Sequence, residues 1–263
     1  MKKNDVHTFV ILAYKESAYL EECIKSVLNQ TIESKVVIAT TTDNKYIRKI
    51  AKKYNLEVIV GKHTTIGGDF DFAKNTATTA LVTIAHQDDI YDNTYVENII
   101  KAYNKYENVS IIFTDYYEIR ENKKVYTNTN LKIKRILLTP LRIKSLGKFK
   151  FFKRLTLSFG DPICCPAVTF VTDNCPKEVF TSDFKSDCDW YAWEKLSKIK
   201  KSFIFIPKKL MGHRIDETTT TTDIINSGIR TKEDLEMLKK FWPTKIAHLI
   251  NKLYKKAESS NSF

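Results

Sequence analysis

Three short stretches of this chain carry residues that can do chemistry. The first is Asp88-Asp89, inside Ala85-His-Gln-Asp-Asp-Ile90. Two adjacent carboxylates cannot both enter a core, because an unpaired buried charge is costly. They are hard oxygen ligands suited to Mg²⁺ or Mn²⁺, and a metal there can bridge a diphosphate and neutralise its charge. Helix capping is the competing reading, since Asp89 or Asp92 can cap a helix that begins near Asn93. The second stretch is Asp187-Cys-Asp-Trp-Tyr-Ala-Trp193. Asp187 or Asp189, beside large aromatics, can act as a general base tuned by a partly apolar pocket. An N-cap followed by two core tryptophans explains the pattern equally well. The third is His213-Arg-Ile-Asp-Glu217. Arg214 can clamp a phosphate and His213 can ligate a metal or a phosphate. A surface salt-bridge cluster is the plain alternative.

The elements that must position these residues alternate strand and helix. Thr8 to Ala13 is a short apolar run, a buried strand. Ser17 can cap a helix in which Leu20, Cys23, Ile24, Val27 and Leu28 share one face. Val36 to Ala39 is a second strand, and Asp43 can cap the next helix, with Ile47, Ile50, Ala51 and Tyr54 inward. Glu57 to Val60 follows as a third strand. Gly67-Gly68-Asp69 is expected as a turn leading into a helix that runs to Thr79. Leu81 to Ala85 is a fourth strand, Asn93 to Tyr106 a helix, and Val109 to Phe113 a fifth strand. This order predicts a largely parallel, doubly wound sheet. Such sheets hold ligands at the carboxyl ends of their strands, and Asp88-Asp89 lies just past the fourth.

The rest of the chain is less regular. Residues 131–154 hold nine Lys/Arg and no acid, mixed with Leu, Ile and Phe. That composition suits an element facing an anionic membrane or an acceptor, and equally a solvated basic loop and helix. Asp189 to Leu196 is predicted helical, and Phe203 to Ile206 a strand ending before Pro207. Asp216 to Asp223, with five successive threonines, reads as a loop. Thr231-Lys-Glu-Asp234 resembles a capping box, and Pro243 can start a last helix with Ile246, Leu249, Ile250 and Leu253 on one face. Glu258 to Phe263 is expected to fray.

Bulk properties bound the partners. The net charge of +12 favours anionic ones: nucleotides, nucleic acid or acidic lipid. The five cysteines, Cys23, Cys164, Cys165, Cys175 and Cys188, show no CxxC spacing, so a reduced compartment is expected rather than a zinc or disulfide framework. No signal peptide is recognisable, and no apolar run nears the ~20 residues that span a bilayer. The expected location is cytoplasmic, at most peripheral at the inner face of the cell membrane.

Taken in order, the motifs resemble one family. Phe9-Val-Ile-Leu-Ala-Tyr-Lys-Glu16 with Tyr19-Leu-Glu-Glu-Cys-Ile-Lys-Ser-Val-Leu-Asn-Gln30 is similar to the opening of family 2 glycosyltransferases of the GT-A fold. Ala85 to Ile90 resembles their DxD-type motif. Asp189-Trp-Tyr-Ala-Trp193 resembles the stretch with their catalytic Asp, and His213 to Thr218 their closing Tyr-Arg-Ile-His-Glu-type motif. The resemblance spans residues 7–220. It implies a GT-A domain over 1–222, with a nucleotide-binding half at 1–115, an acceptor half at 116–222 and a helical extension at 223–263.

The resemblance also implies an inverting, metal-dependent transfer from a nucleotide-diphosphate sugar in surface-polysaccharide synthesis. Asp88, Asp89 and His213 would hold Mn²⁺ or Mg²⁺. Asp189, or Asp187 if the motif slides by two residues, would be the base. Ala13, Tyr14, Glu16, Thr41, Asp43, Asp69, His86, Gln87, Asp88 and Arg214 would contact the donor, a UDP- or dTDP-sugar. The acceptor would be a glycan or a lipid-linked sugar, with residues 131–154 against the membrane and no nucleic acid involved. Three positions depart from the family pattern. His86 stands where an acid is common, Ala39-Thr-Thr-Thr-Asp-Asn44 replaces a paired acidic stretch, and Asp216 replaces the closing His. Two other readings follow from the same residues. One is a basic nucleic-acid-binding protein using Phe149, Phe151 and Phe152, and the other is a non-catalytic transferase homologue.

Overall fold

A computed structural model describes residues 4–215 and 229–259. The parallel half of the sheet comes first. Strands β1 (Asn4–Ala13), β2 (Ser34–Thr40), β3 (Glu57–Val60) and β4 (Leu81–His86) run parallel in the order β3-β2-β1-β4. Helices α1 (Leu20–Leu28), α2 (Lys45–Lys53) and α3 (Ile66–Thr76) connect them. On α1 the expected inward face is Leu20, Cys23, Ile24 and Val27, while Leu28 turns outward. Asn44, not Asp43, caps α2: its side chain accepts the Ile47 N–H at 2.9 Å, and Asp43 instead pairs with Arg48 at 2.7 Å. Gly67, Gly68 and Asp69 lie inside α3 rather than in a turn, because Thr65 caps that helix through the Gly68 N–H. A Cβ at Gly67 would sit 2.3 Å from the Phe180 carbonyl oxygen, so glycine here permits close packing of α3 on a loop.

The second half is mixed. Strand β5 (Ile90–Tyr91) follows β4 directly, and α4 (Tyr95–Lys105) leads to a long strand β6 (Val109–Arg120) with a short partner β7 (Lys123–Val125). Three short helices follow, α5 (Thr129–Leu137), α6 (Thr139–Arg142) and α7 (Lys150–Leu157), with a 3-10 turn at Lys144–Lys148. Strand β8 (Val168–Val171) then wedges antiparallel between β4 and β6. Helix α8 (Cys188–Ser197) precedes β9 (Ser202–Ile215), which runs parallel to β6 and antiparallel to β5. The sheet order is β3-β2-β1-β4-β8-β6-β9-β5.

Sequence reading missed β5, β7 and β8, and ended β6 and β9 too early. The β6 and β9 register shifts near Thr114/Asp115, where Pro207 and Lys208 have no β6 partner, so the strand passes the proline at an irregularity and continues. Helix α9 (Ile229–Lys239) begins before the expected Thr231 cap, and α10 (Thr244–Ser259) starts just after Pro243. The threonine loop at Asp216 to Asp223, the 222/223 boundary and Asn261 to Phe263 of the expected fraying tail lie outside the described residues.

The core splits across the sheet. One face packs α1, α2 and α4, with Phe9, Ile11, Ile24 and Tyr95 at its centre. The other packs α3, α6, α7 and α8, with Phe113, Phe170, Phe180 and Trp193. Met237 and Leu238 of α9 and Ala247 of α10 belong to that second cluster, and the Trp242 indole N–H donates to the Ser158 carbonyl at 2.6 Å. The C-terminal helices therefore pack into the domain's own core.

Candidate active site

At the carboxyl end of β4 the chain turns sharply before β5. His86, Asp88 and Asp89 each offer a ligand atom there, all within 4.8 Å of one another. Burial and the adjacent Asp89 push the Asp88 carboxyl up to about 6. Burial pushes His86 down to about 4, so its imidazole is neutral at physiological pH, as a metal ligand must be. Its Nε2 is buried without a hydrogen-bond partner, and its ring stacks on Phe70 with centroids 5.2 Å apart. Crowded carboxylates beside a neutral, unpartnered imidazole suit a divalent cation. His86 is thus placed with the candidate ligands rather than among the donor contacts alone.

Strand β9 locks this turn. Asp89 is fully buried, and its Oδ1 accepts the Arg214 backbone N–H at 2.8 Å and faces His213 Nδ1 at 3.1 Å. Asp89 therefore caps no helix; Asp92 accepts the Thr94 N–H ahead of α4. His213 adjoins the three-residue cluster through Asp89. Burial opposes its positive charge, but Asp89 and Asp88 outweigh that and raise its pKa. The Arg214 side chain is 4% exposed. Its guanidinium donates to the Asp88 carbonyl at 3.0 Å, to Asn122 at 3.2 Å and to Glu22 at 2.5 Å, and lies 4.0 Å above the Tyr19 ring. A Cβ at Gly212 would meet the Tyr117 ring at 2.7 Å, so glycine lets β9 approach β6 beside His213.

The residues expected to contact the donor gather along the ends of β1, β2 and β4. Ala13 is buried at the end of β1, with Tyr14 and Glu16 exposed beyond it. Gln87 clasps Tyr14, accepting its N–H at 3.1 Å and donating to its carbonyl at 2.9 Å. Thr41 donates to Asp69 at 3.0 Å, and Asp69 Oδ2 faces His63 Nδ1 at 2.7 Å. The other oxygen, Asp69 Oδ1, is buried and unpartnered. Asp43 stands apart, paired with Arg48 on the exposed end of α2.

Asp189 and Asp187 point to different neighbourhoods. Burial raises the Asp189 carboxyl, and Lys134 and Arg230 act against that rise. Burial and then Asp189 raise Asp161. Cys164 lies within electrostatic reach of both Asp89 and Asp189, and Lys134 within reach of both His213 and Asp189. Cys164 and Lys134 are therefore electrostatic neighbours that Asp189 shares with the β4 cluster. For Asp187, burial first, then Asp234 of α9 and Asp189, raise the carboxyl well above the ordinary range, and its Oδ2 makes no hydrogen bond. The two tryptophans of the motif are core residues, as the plainer reading had it.

A family model, Glycosyl transferase family 2, matches residues 8–171, more than half of the chain. The chain belongs to glycosyl transferase family 2. Solved structures share its fold at low identity. S. aureus TarS superimposes with a TM-score of 0.57 at 13% identity, over 93% of this chain and 42% of that one. S. aureus TarS 1–349 in complex with UDP-GlcNAc gives 0.55 at 13%, over 94% and 70%. The mannosyltransferase PcManGT from Pyrobaculum calidifontis, in complex with GDP-Man and Mn²⁺, gives 0.59 at 12%, over 98% and 76%. The GT-A, Rossmann-like architecture expected from the motifs is thereby shown. The chain spans under half of the TarS chain it matches. No curated protein matches it in sequence.

Several residues of this family-2 domain escaped sequence reading. Lys134 and Asp161 are electrostatic neighbours of Asp189, whereas composition places Lys134 only within the basic segment 131–154. Its Nζ lies 5.6 Å from the Tyr116 ring centroid, and the Tyr116 ring is 6.1 Å from that of His213. Burial works against the Lys134 ammonium, but Tyr116, Cys164 and Asp161 outweigh it and raise its pKa. Two further carboxylates pin the chain that enters α8. Asp71 on α3 accepts the N–H groups of Val179, Phe180 and Thr181 at 2.7, 3.0 and 2.8 Å. Glu233 on α9 accepts those of Lys185, Ser186 and Asp187 at 2.9, 2.7 and 3.1 Å. No spacing rule joins residues so far apart in the chain, and no sequence signal singles out these acids from the others on their helices.

Glu233 thus supports the α8 N-terminus from the C-terminal helices. Glu233→Ala should cost about 1–3 kcal/mol of stability, because three N–H groups lose a charged acceptor. Turnover should fall while donor KM holds, and Glu233→Gln, which keeps a carbonyl acceptor, should recover part of both. Thermal melts and steady-state kinetics on the two variants check this. An unchanged melting temperature in Glu233→Ala would contradict it.

Proposed function

We propose that the domain transfers a sugar from a nucleoside-diphosphate donor to a glycan or lipid-linked acceptor, with inversion, in surface-polysaccharide synthesis. The observation that carries this reading is the cation-suited cluster of His86, Asp88 and Asp89 at the end of β4, with which Asp189 shares Cys164 and Lys134 as electrostatic neighbours. Asp88, Asp89 and His86 would hold Mn²⁺ or Mg²⁺, with His213 beside them as partner to Asp89. The metal, when bound, supplies positive charge against the leaving diphosphate. Asp189 takes the proton of the acceptor hydroxyl, whose oxygen bonds to the anomeric carbon. The carbon–oxygen bond to the diphosphate breaks, and the nucleoside diphosphate leaves with the electron pair. Lys134, held protonated, opposes the rise that burial imposes on the Asp189 carboxyl and so favours its ionised form. Thr41, Asp69, Tyr14 and Gln87 would border the nucleotide, and Arg214 would hold the β4–β5 turn in place.

The donor is proposed to be a UDP- or dTDP-sugar. Of the structural neighbours, one was solved with UDP-GlcNAc and another with GDP-Man and Mn²⁺. Thermal stabilisation by a panel of UDP-, dTDP- and GDP-sugars, each with and without Mn²⁺, tests the proposal. Metal-dependent stabilisation by one nucleotide class is the expected result. No stabilisation by any of them, with or without metal, would favour a non-catalytic homologue.

Asp187 gives a pH test that separates the two motif carboxylates. Its folded pKa is raised, so the native state keeps a proton that the unfolded chain gives up at about pH 4. Its contribution is therefore fully present below that pH and is lost as pH climbs into the alkaline range. Asp187→Asn cannot ionise, and should melt higher than wild type at alkaline pH while keeping turnover. Melting curves across pH read the effect. If Asp187→Asn abolishes turnover instead, Asp187 is the base.

A further inference from the structure

The basic segment 131–154 sends several of its cations inward and several of its large apolar side chains outward. An amphipathic element in water turns its charges outward and its apolar residues inward. Here several charges turn inward. Lys153 is fully buried and donates to the carbonyls of Ile199 and Lys201 at 2.8 and 2.7 Å. Arg135 pairs with Asp115 at 2.8 Å, Arg154 pairs with Glu194, and Lys144 donates to the Phe205 carbonyl. Leu131, Leu138 and Leu141 are buried in the ordinary way, but other large apolar side chains turn outward: Ile136 is 68% exposed, Ile143 60%, Phe149 49% and Phe151 68%. They belong to α5, α6, α7 and the turn between them, which pack on one another as one cap. Phe149 and Phe151 both lean on Phe152, with centroids 6.4 and 5.3 Å away. The remaining cations, Lys132, Arg142, Lys148 and Lys150, are exposed among these apolar residues, and the segment contains no acid.

From this surface we infer that the α5–α7 cap is the domain's seat on an anionic bilayer. Ile and Phe side chains would enter the boundary between headgroups and acyl chains, while Lys and Arg stay at the level of the lipid phosphates. Charge complementarity favours this occupant over the others. A second copy related by a two-fold axis would set these cations against themselves. Single-stranded nucleic acid would use the two phenylalanines as stacking platforms but gains nothing from Ile136 and Ile143. The seat also has a functional direction. Helix α5 carries Ile133 and Ile136 on its outer face and sends Lys134 to the Tyr116 ring beside His213. A membrane under the cap would bring a lipid-linked acceptor to the base side of the site; this last step rests on the transferase reading, whereas the bilayer contact does not.

The test is co-sedimentation of the full chain with vesicles of equal parts phosphatidylglycerol and phosphatidylcholine, and with vesicles of phosphatidylcholine alone. Binding to the anionic vesicles is expected, weakened at raised salt. The double substitution Phe149→Ser, Phe151→Ser should lower that binding by about tenfold or more. Lys148→Glu with Lys150→Glu should lower it by about fivefold per charge or more. All four residues are exposed, so both variants should melt like wild type, which ligand-free thermal melts verify. Equal binding to both vesicle types, or none to either, would overturn the inference. So would a concentration-dependent dimer, or binding of a single-stranded oligonucleotide, that the phenylalanine variant abolishes while vesicle binding persists. Because sedimentation needs no turnover, failure of the bilayer contact and failure of the transferase reading show up separately.

Discussion

Asp189→Asn is expected to lower turnover by about 10²–10⁴-fold, the usual contribution of a positioned general base. Donor affinity should barely change, because the role proposed for Asp189 is toward the acceptor hydroxyl and not the donor. The substitution is nearly isosteric and keeps an oxygen that can accept the Trp190 N–H, a bond of 2.8 Å in the wild type. A collapse of α8 should therefore not imitate the loss. The amide also removes a charge that raises Asp161, so Asp161 should ionise more readily in the variant. Single-turnover kinetics at saturating donor, with donor affinity measured alongside, separates the chemical step from binding. Wild-type turnover in Asp189→Asn would remove it as the base.

Asp88 is the cleaner probe of the metal. Asp88→Asn should abolish stimulation by Mn²⁺ and lower turnover by about 10²-fold or more, since a bound cation is worth several kcal/mol against developing charge. The side chain is half-buried and holds no strand, so the melting temperature should change little. Asp89 looks the equal of Asp88 in sequence but differs in structure. Its carboxylate is fully buried and accepts the Arg214 N–H, so Asp89→Ala should also cost about 1–3 kcal/mol of stability. Metal-titrated turnover beside thermal melts tells the two apart. Full metal stimulation in Asp88→Asn would exclude it as a ligand, and equal melting temperatures for Asp88→Asn and Asp89→Ala would contradict the division of labour.

Much of the first half was legible along the chain. The parallel strands β1 to β4 and the inward faces of α1, α2 and α4 follow from apolar spacing, because each element buries its own regular stripe. The second half was not, because its strands owe their existence to partners. Val168–Val171 is four residues long and is a strand only because β4 and β6 flank it. Beyond Thr114, β6 carries polar and charged residues whose inward places are satisfied from elsewhere: Asp115 by Arg135, and Glu118 by Arg120 and Asn128. Periodicity cannot foresee such pairings.

The same division runs through the candidate site. Asp88, Asp89 and Asp189 were visible by type and position, since carboxylates at a strand end and at a helix start are local features. Their order along the chain also sufficed to suggest the family. What chain order could not decide was which atoms meet. His86 joins the two carboxylates only because the β4–β5 turn and the Phe70 ring orient it. Asp187 and Asp189, two residues apart on entering a helix, differ in their partners: Asp234 of α9 raises the first, and Lys134 acts against the rise of the second. The basic segment was read from composition, which counts charges without saying where they point. Burial against Glu194, Asp115 and backbone carbonyls drew those cations inward and left phenylalanine and isoleucine outside. Sequence by itself determined the parallel half of the fold, the family and the residue types of the site, because those depend on local pattern. Tertiary structure alone decided which side chains gather at the β4–β5 turn, the partners of each carboxylate and the outward apolar face, because each depends on contacts between residues remote in the chain.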